Sequence, residues 1–186
     1  MKTYFVKDLM VPLSEYATVP EDALLYEAVL DLEKAQEEFD SSKYKHRAIL
    51  VLDKTGKVVG KITQLSILGA LEPKYKDMTH RQHGLASYGF SRKFMRDIME
   101  GYKLWDSPLK DICRKASDKK VSSFMLTPTE DEYVEEKATL DEAIHQLVLG
   151  HHQSLLVTRG EDIIGVLRMT DVFAAIFHTL KECALD

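Results

Sequence analysis

Apolar positions at Leu25, Ala28, Val29 and Leu32 recur with a helical period and predict a helix from about Ala23. Glu21 and Asp22 precede it, where carboxylates favour a helix N-terminus. A short extended stretch, Ala17 to Val19, leads into that helix, and the apolar run "AILVL" predicts a strand after it. A turn over Lys54-Thr55-Gly56-Lys57, a second strand "VVGKIT" and a closing helix near Ser66 complete the unit. The same order returns downstream. Glu132 to Val134 is extended, a helix starts at about Ala138 behind Glu135 and Glu136, and "SLLV" reads as a strand. The turn Arg159-Gly160-Glu161-Asp162, the strand "IIGVLR" and a helix near Asp171 then follow.

The two stretches are copies of one unit. With Val6 set against Val121, "VKDLMVPLSEYATVPEDALLYEAVLDL" and "VSSFMLTPTEDEYVEEKATLDEAIHQL" agree at about ten positions, mostly apolar ones that face a helix's core side. Met10/Met125, Val19/Val134, Leu25/Leu140 and Glu27-Ala28/Glu142-Ala143 are among them. After a gap, "HRAILVLDKTGKVVGKITQLSIL" lies over "HHQSLLVTRGEDIIGVLRMTDVF". Two windows matching in the same order point to duplication. The predicted fold class is therefore α+β, with two β-α-β-β-α repeats that pack on each other because neither alone has much core. The first copy carries roughly ten extra residues before its hairpin, and the charge-rich "EKAQEEF" there extends its helix.

Between the copies, Phe94, Met95, Ile98, Met99, Tyr102 and Trp105 fall at helical spacing, and Ser107-Pro108 reads as the N-cap and first residue of another helix. The expected organisation is repeat 1 over 1–71, a helical insert over 72–118, repeat 2 over 119–180 and a tail over 181–186. The insert's Met-rich stripe suits packing on the domain, on a symmetry mate or on an unidentified protein partner.

A formal charge of −5 argues against nucleic acid as the main partner, although it leaves room for a local basic pocket. No apolar stretch approaches the ~20 residues of a membrane span, so no membrane association is expected. Cys113 and Cys183 have no C-x-x-C spacing, which suits a reducing cytoplasm. No P-loop, nucleophile elbow or H-E-x-x-H is present, and no enzyme activity is expected. His145, His151 and His152 lie close in sequence, but no carboxylate or cysteine completes a metal spacing, and adjacent histidines on an extended segment point to opposite sides. No metal site or required cofactor is expected.

The paired motifs resemble the CBS (cystathionine-β-synthase) domain, and the tandem arrangement resembles a CBS pair, or Bateman module. That resemblance implies two units about a pseudo-two-fold axis, two equivalent clefts and a homodimer in which two modules form a disc. It also implies regulation by an adenosine-type ligand: AMP, ADP, ATP or S-adenosylmethionine. Sites of this family commonly use Thr or Ser, two further residues, then Asp after the glycine of the last strand. A carboxylate suits a ribose diol, and a helix N-terminus suits phosphate.

This chain divides that motif between its copies. The second has Asp171 as a candidate ribose acceptor, Arg168 in place of the hydroxyl residue, and His152 at the strand entrance. The first keeps Thr63, has Ser66 in place of Asp, and has His46 and Arg47 as a basic entrance. All seven are candidate nucleotide-binding residues. Simpler roles stand beside that one. Asp171 and Ser66 suit helix caps, and Arg168 suits a pair with Glu161 or Asp162 across the hairpin. The competing reading of the whole is a structural or interaction module whose clefts no longer bind.

Overall fold

The computed structural model describes residues 4–38, 48–72, 74–75, 91–103 and 111–183. After a short helix α1 (Val6–Leu9) and strand β1 (Val11–Pro12), the first unit runs β2 (Thr18–Pro20), α2 (Leu25–Glu38), β3 (Ala48–Leu52), β4 (Val58–Thr63) and α3 (Gln64–Leu71). The insert contributes α4 (Arg92–Tyr102) and α5 (Ile112–Asp118). The second unit runs β5 (Tyr133–Glu135), α6 (Leu140–Leu149), β6 (Ser154–Arg159), β7 (Asp162–Arg168) and α7 (Met169–Cys183). Each unit is the β-α-β-β-α succession expected. His46 and Arg47, the Ser107-Pro108 helix start and Trp105 lie outside the described residues.

Local chemistry sets the helix boundaries. Glu27 and Glu142 reach back to accept from the backbone N–H of Leu24 (2.7 Å) and Thr139 (3.0 Å), so α2 and α6 begin at Leu25 and Leu140, later than Ala23 and Ala138. The closing helices begin earlier than expected, at Gln64 and Met169. Ser66 and Asp171 are therefore third residues of their helices rather than N-caps.

Sheet pairing follows the same plan twice. In the first unit β2 runs parallel to β3 and β3 antiparallel to β4; in the second, β5 is parallel to β6 and β6 antiparallel to β7. The hairpins differ by one residue. Val51 faces Gly60, whereas Val157 faces Gly165. The second turn is shorter, so Ile49, Leu50 and Val51 correspond to Leu155, Leu156 and Val157. The ungapped overlay of "HRAIL" on "HHQSL" is thus one residue out of register in the first strand. A one-residue slip exchanges the faces of a strand. With it corrected, His46 corresponds in sequence to His152, and Arg47 to Gln153.

The lead-in segments are exchanged between units. β1 pairs antiparallel with β7 of the second unit, Val11 opposite Val166. Reciprocally, Leu126 bridges Lys61 on β4 of the first. Val6 donates its N–H to Ala138 O (3.0 Å), and Val121 donates to Ala23 O (2.8 Å). Both valines are fully buried in the other unit's core: Val6 among Val134, Leu155 and Leu167, and Val121 among Leu25, Ile49 and Ile62. Burying each contributes roughly 1.5–3 kcal/mol to joining the halves. A third cluster, formed by Val11, Tyr16, Leu50, Leu156 and Val166, lies between the sheets.

The strand glycines permit this close crossing. A Cβ on Gly165 would stand 2.5 Å from the Val11 carbonyl oxygen, and one on Gly60 would stand 2.6 Å from Met125 Sδ. In the insert, α5 buries Ala116 against the first core, and Lys119 just beyond it donates to the Ala70 carbonyl.

Candidate functional site

The polar residues divided between the copies form two closed pairs. In the first, Thr63 is the N-cap of α3. Its Oγ1 accepts from Ser66 N (3.1 Å), while Ser66 Oγ accepts from Thr63 N (2.8 Å) and donates to Thr63 O (2.9 Å). This is a capping box built from two hydroxyls. In the second, Arg168 occupies Thr63's position and donates from Nε to Asp171 Oδ2 (2.5 Å) and from Nη2 to Asp171 Oδ1 (2.7 Å). The pair is bidentate, and Arg168 is only 4% exposed. Arg168 therefore pairs along its own helix start and not with Glu161 or Asp162. At the end of β6, Arg159 instead donates to both oxygens of Glu136, in the turn just after β5, at 2.7 Å.

Thr63 and Arg168 line one cavity of about 400 Å³, which is walled by both units. Ala48 and Ser154, their strand partners, line it too, as do Gln64, Leu65 and Thr170 from the first turns of α3 and α7. Tyr16 closes one side. Burial pushes its phenol up to about 12, so it stays protonated at neutral pH. Ser66 and Asp171 are not part of the wall. Structure thus unites Thr63, Arg168 and His152 in one cavity and sets Ser66 and Asp171 behind it.

His152 belongs to a charged cluster at the rim. Its Nε2 lies 2.8 Å from Asp131 Oδ2 and its Nδ1 lies 3.6 Å from Glu132 Oε1. Glu132 in turn pairs with Lys61 of β4, at side-chain exposures of 10% and 12%. Hydrogen bonds from Thr129 and then His152 hold the Asp131 carboxyl below its usual range. His151 is not on an extended segment. It takes φ +53° just past α6, with His151 N–H donating to Val148 O and His152 N–H to Leu147 O. That is a Schellman ending with histidine at the left-handed position, and it turns His152 into the cavity. Among the described residues no three His, Cys, Asp or Glu side chains are grouped to hold a metal ion, and no helix is long and apolar enough to cross a membrane.

Lys61, Glu132, Tyr16 and Thr170 are site residues that sequence reasoning missed. One signal was available: Lys61 occupies the position of Val166, and Glu132 that of Ala17, so each is a charge where the other copy is apolar.

The family comparison decides what this repeated frame is. The profile of the CBS domain matches residues 6–73 and again 121–178. The chain belongs to the CBS-domain family. Solved CBS structures share the fold. That of CBSX2 in complex with AMP is 18% identical, with 95% of this chain and 98% of that one covered at a TM-score of 0.58. The CBS-pair protein CBSX2 from Arabidopsis thaliana is 16% identical, covering 97% and 99% at 0.59. A CBS domain-containing protein of unknown function from Bacillus anthracis str. Ames Ancestor is 18% identical, covering 94% of each chain at 0.59. Comparison with curated proteins gives no match. The two CBS repeats thus form one CBS pair with a helical insert between them.

Proposed function

We propose that this CBS pair is a regulatory module, not an enzyme, and that it binds an adenosine-type nucleotide in the cavity between its repeats. The observation that carries this reading is the shared wall: Thr63 from one repeat and Arg168, His152 and Thr170 from the other converge on a space of about 400 Å³. That volume lies in the range of small-ligand pockets, and its mixed apolar and polar lining suits a base joined to a phosphate. The AMP-bound CBSX2 supports the choice of ligand class. Occupancy would be passed on through helices α3 and α7, whose first turns line the cavity. Those helices leave Leu65, Leu68, Phe173 and Leu180 exposed, which supports a homodimer with these faces in contact. His46 and Arg47 would extend the basic rim. Calorimetric titration of AMP, ADP, ATP and S-adenosylmethionine tests the reading. Saturable binding of at least one is expected, and silence from all four removes it.

One observation favours the alternative of a structural module. Both motif pairs are bonded to themselves, so these side chains have partners without a ligand. Under that alternative the protein dimerises normally and binds none of the four.

A further inference from the structure

The correspondence between the two repeats extends to the cavity wall, and there it breaks. Lys61, Leu126 and Glu132 line the cavity. Their counterparts in the other copy are Val166, Val11 and Ala17, and none of these lines it. All three are buried instead, Val11 and Val166 in the cluster between the sheets and Ala17 in the first core. Tyr16 and Asp131 are counterparts that differ in the same sense. The Asp131 side chain is 61% exposed and reaches His152 at the rim, outside the wall. Tyr16 is only 7% exposed; it packs with Val11, Leu50, Leu156 and Val166 and also borders the cavity. An aromatic side chain buries a large apolar area, which holds it in this place.

We infer that Tyr16 is a plug: it fills the counterpart of the cavity, so the pair takes one nucleotide per chain although its duplicated frame offers two places. This rests on the nucleotide reading above. On the open side, charged side chains at Lys61 and Glu132 stand around a space of about 400 Å³. That is near the lower end of the range for one small ligand. On the other side, Val166 and Val11 meet the Tyr16 side chain, and hydrocarbon contact takes the place of the space. The plug also shapes the response. Cooperativity needs more than one site, so within a single chain occupancy follows a simple hyperbola, and any cooperativity arises between chains.

Equilibrium dialysis of the full chain against AMP, carried to saturation, counts the sites. Wild type and Tyr16→Phe, which keeps the ring, should each take up one AMP per chain. Tyr16→Ala removes the plug and should take up two. A thermal melt checks that this variant is folded, and Tyr16→Val, a smaller truncation, carries the same expectation if it is not. Two AMP per wild-type chain overturns the inference and leaves the nucleotide reading standing. So does a count that stays at one in a folded Tyr16→Ala or Tyr16→Val protein, because the ring is then not what closes the second place. The wild-type count decides the matter even where both truncations fail to fold. If wild type takes up no AMP, the nucleotide reading falls and the inference falls with it.

Discussion

Lys61 and Glu132 form an ion pair that ties β4 of the first repeat to the lead-in of β5 in the second, 71 residues apart in sequence. The positions equivalent to them, Val166 and Ala17, are apolar and buried, at 1% and 5% exposure. The two repeats thus differ at equivalent positions: an ion pair stands where the other copy buries Val166 in the cluster between the sheets and Ala17 in the first core.

That internal comparison predicts a pattern of mutant stabilities. Removing one partner of a pair this enclosed leaves an uncompensated charge, so Glu132→Ala alone should cost about 3–5 kcal/mol. Lys61→Val with Glu132→Ala copies the other side of the axis and should recover most of that loss, ending within about 1 kcal/mol of wild type or above it. Urea unfolding of the three proteins measures this. A double variant as unstable as the single one would mean that the two sides are not interchangeable.

The exchanged lead-in segments predict a second asymmetry. Gly165→Ala drives a methyl group against the Val11 carbonyl oxygen, which is backbone, while Gly60→Ala meets the thioether of Met125, which can swing aside. Gly165→Ala should destabilise by about 1–3 kcal/mol and Gly60→Ala by less. Equal melting temperatures for the two variants would contradict the crossing seen at β1 and β7.

Acid should loosen the rim of the cavity. Asp131 has a folded pKa below its unfolded one, so its contribution is complete above the unfolded value and is lost as pH falls through the folded value. The loss is confined to the region below about pH 4. Asp131→Asn removes the titrating group, so its melting temperature should fall less steeply than wild type's in that range. Parallel acid limbs in the two proteins would count against the Thr129–Asp131–His152 contacts.

Much of the fold was legible because periodicity survives duplication. The stripe through Leu25, Ala28 and Leu32, and its echo through Leu140, Ala143 and Leu147, fixes the helices whatever they pack on. The exchange of Val6 and Val121 was not legible, since an apolar position does not say which of two similar cores will bury it. The register slip escaped for a related reason: "AILVL" and the "LLV" of the second copy are continuous apolar runs with no alternation to mark a face. At the site, the Thr63–Ser66 and Arg168–Asp171 spacings were visible, but their closure on themselves was not. Sequence shows that two groups can meet; it does not show that they prefer each other to a ligand. Lys61 and Glu132 are each a charge where the other copy is apolar, but only folding brings the two together.

Under the proposed function, a nucleotide binds between the repeats, at the starts of α3 and α7. Amide hydrogen exchange of the full chain with and without saturating AMP tests that claim most directly. Slower exchange is expected at Thr63 to Ser66 and at Arg168 to Val172, in both repeats at once. Slowing confined to one repeat, or to the outer faces of the helices, or found nowhere, would contradict it.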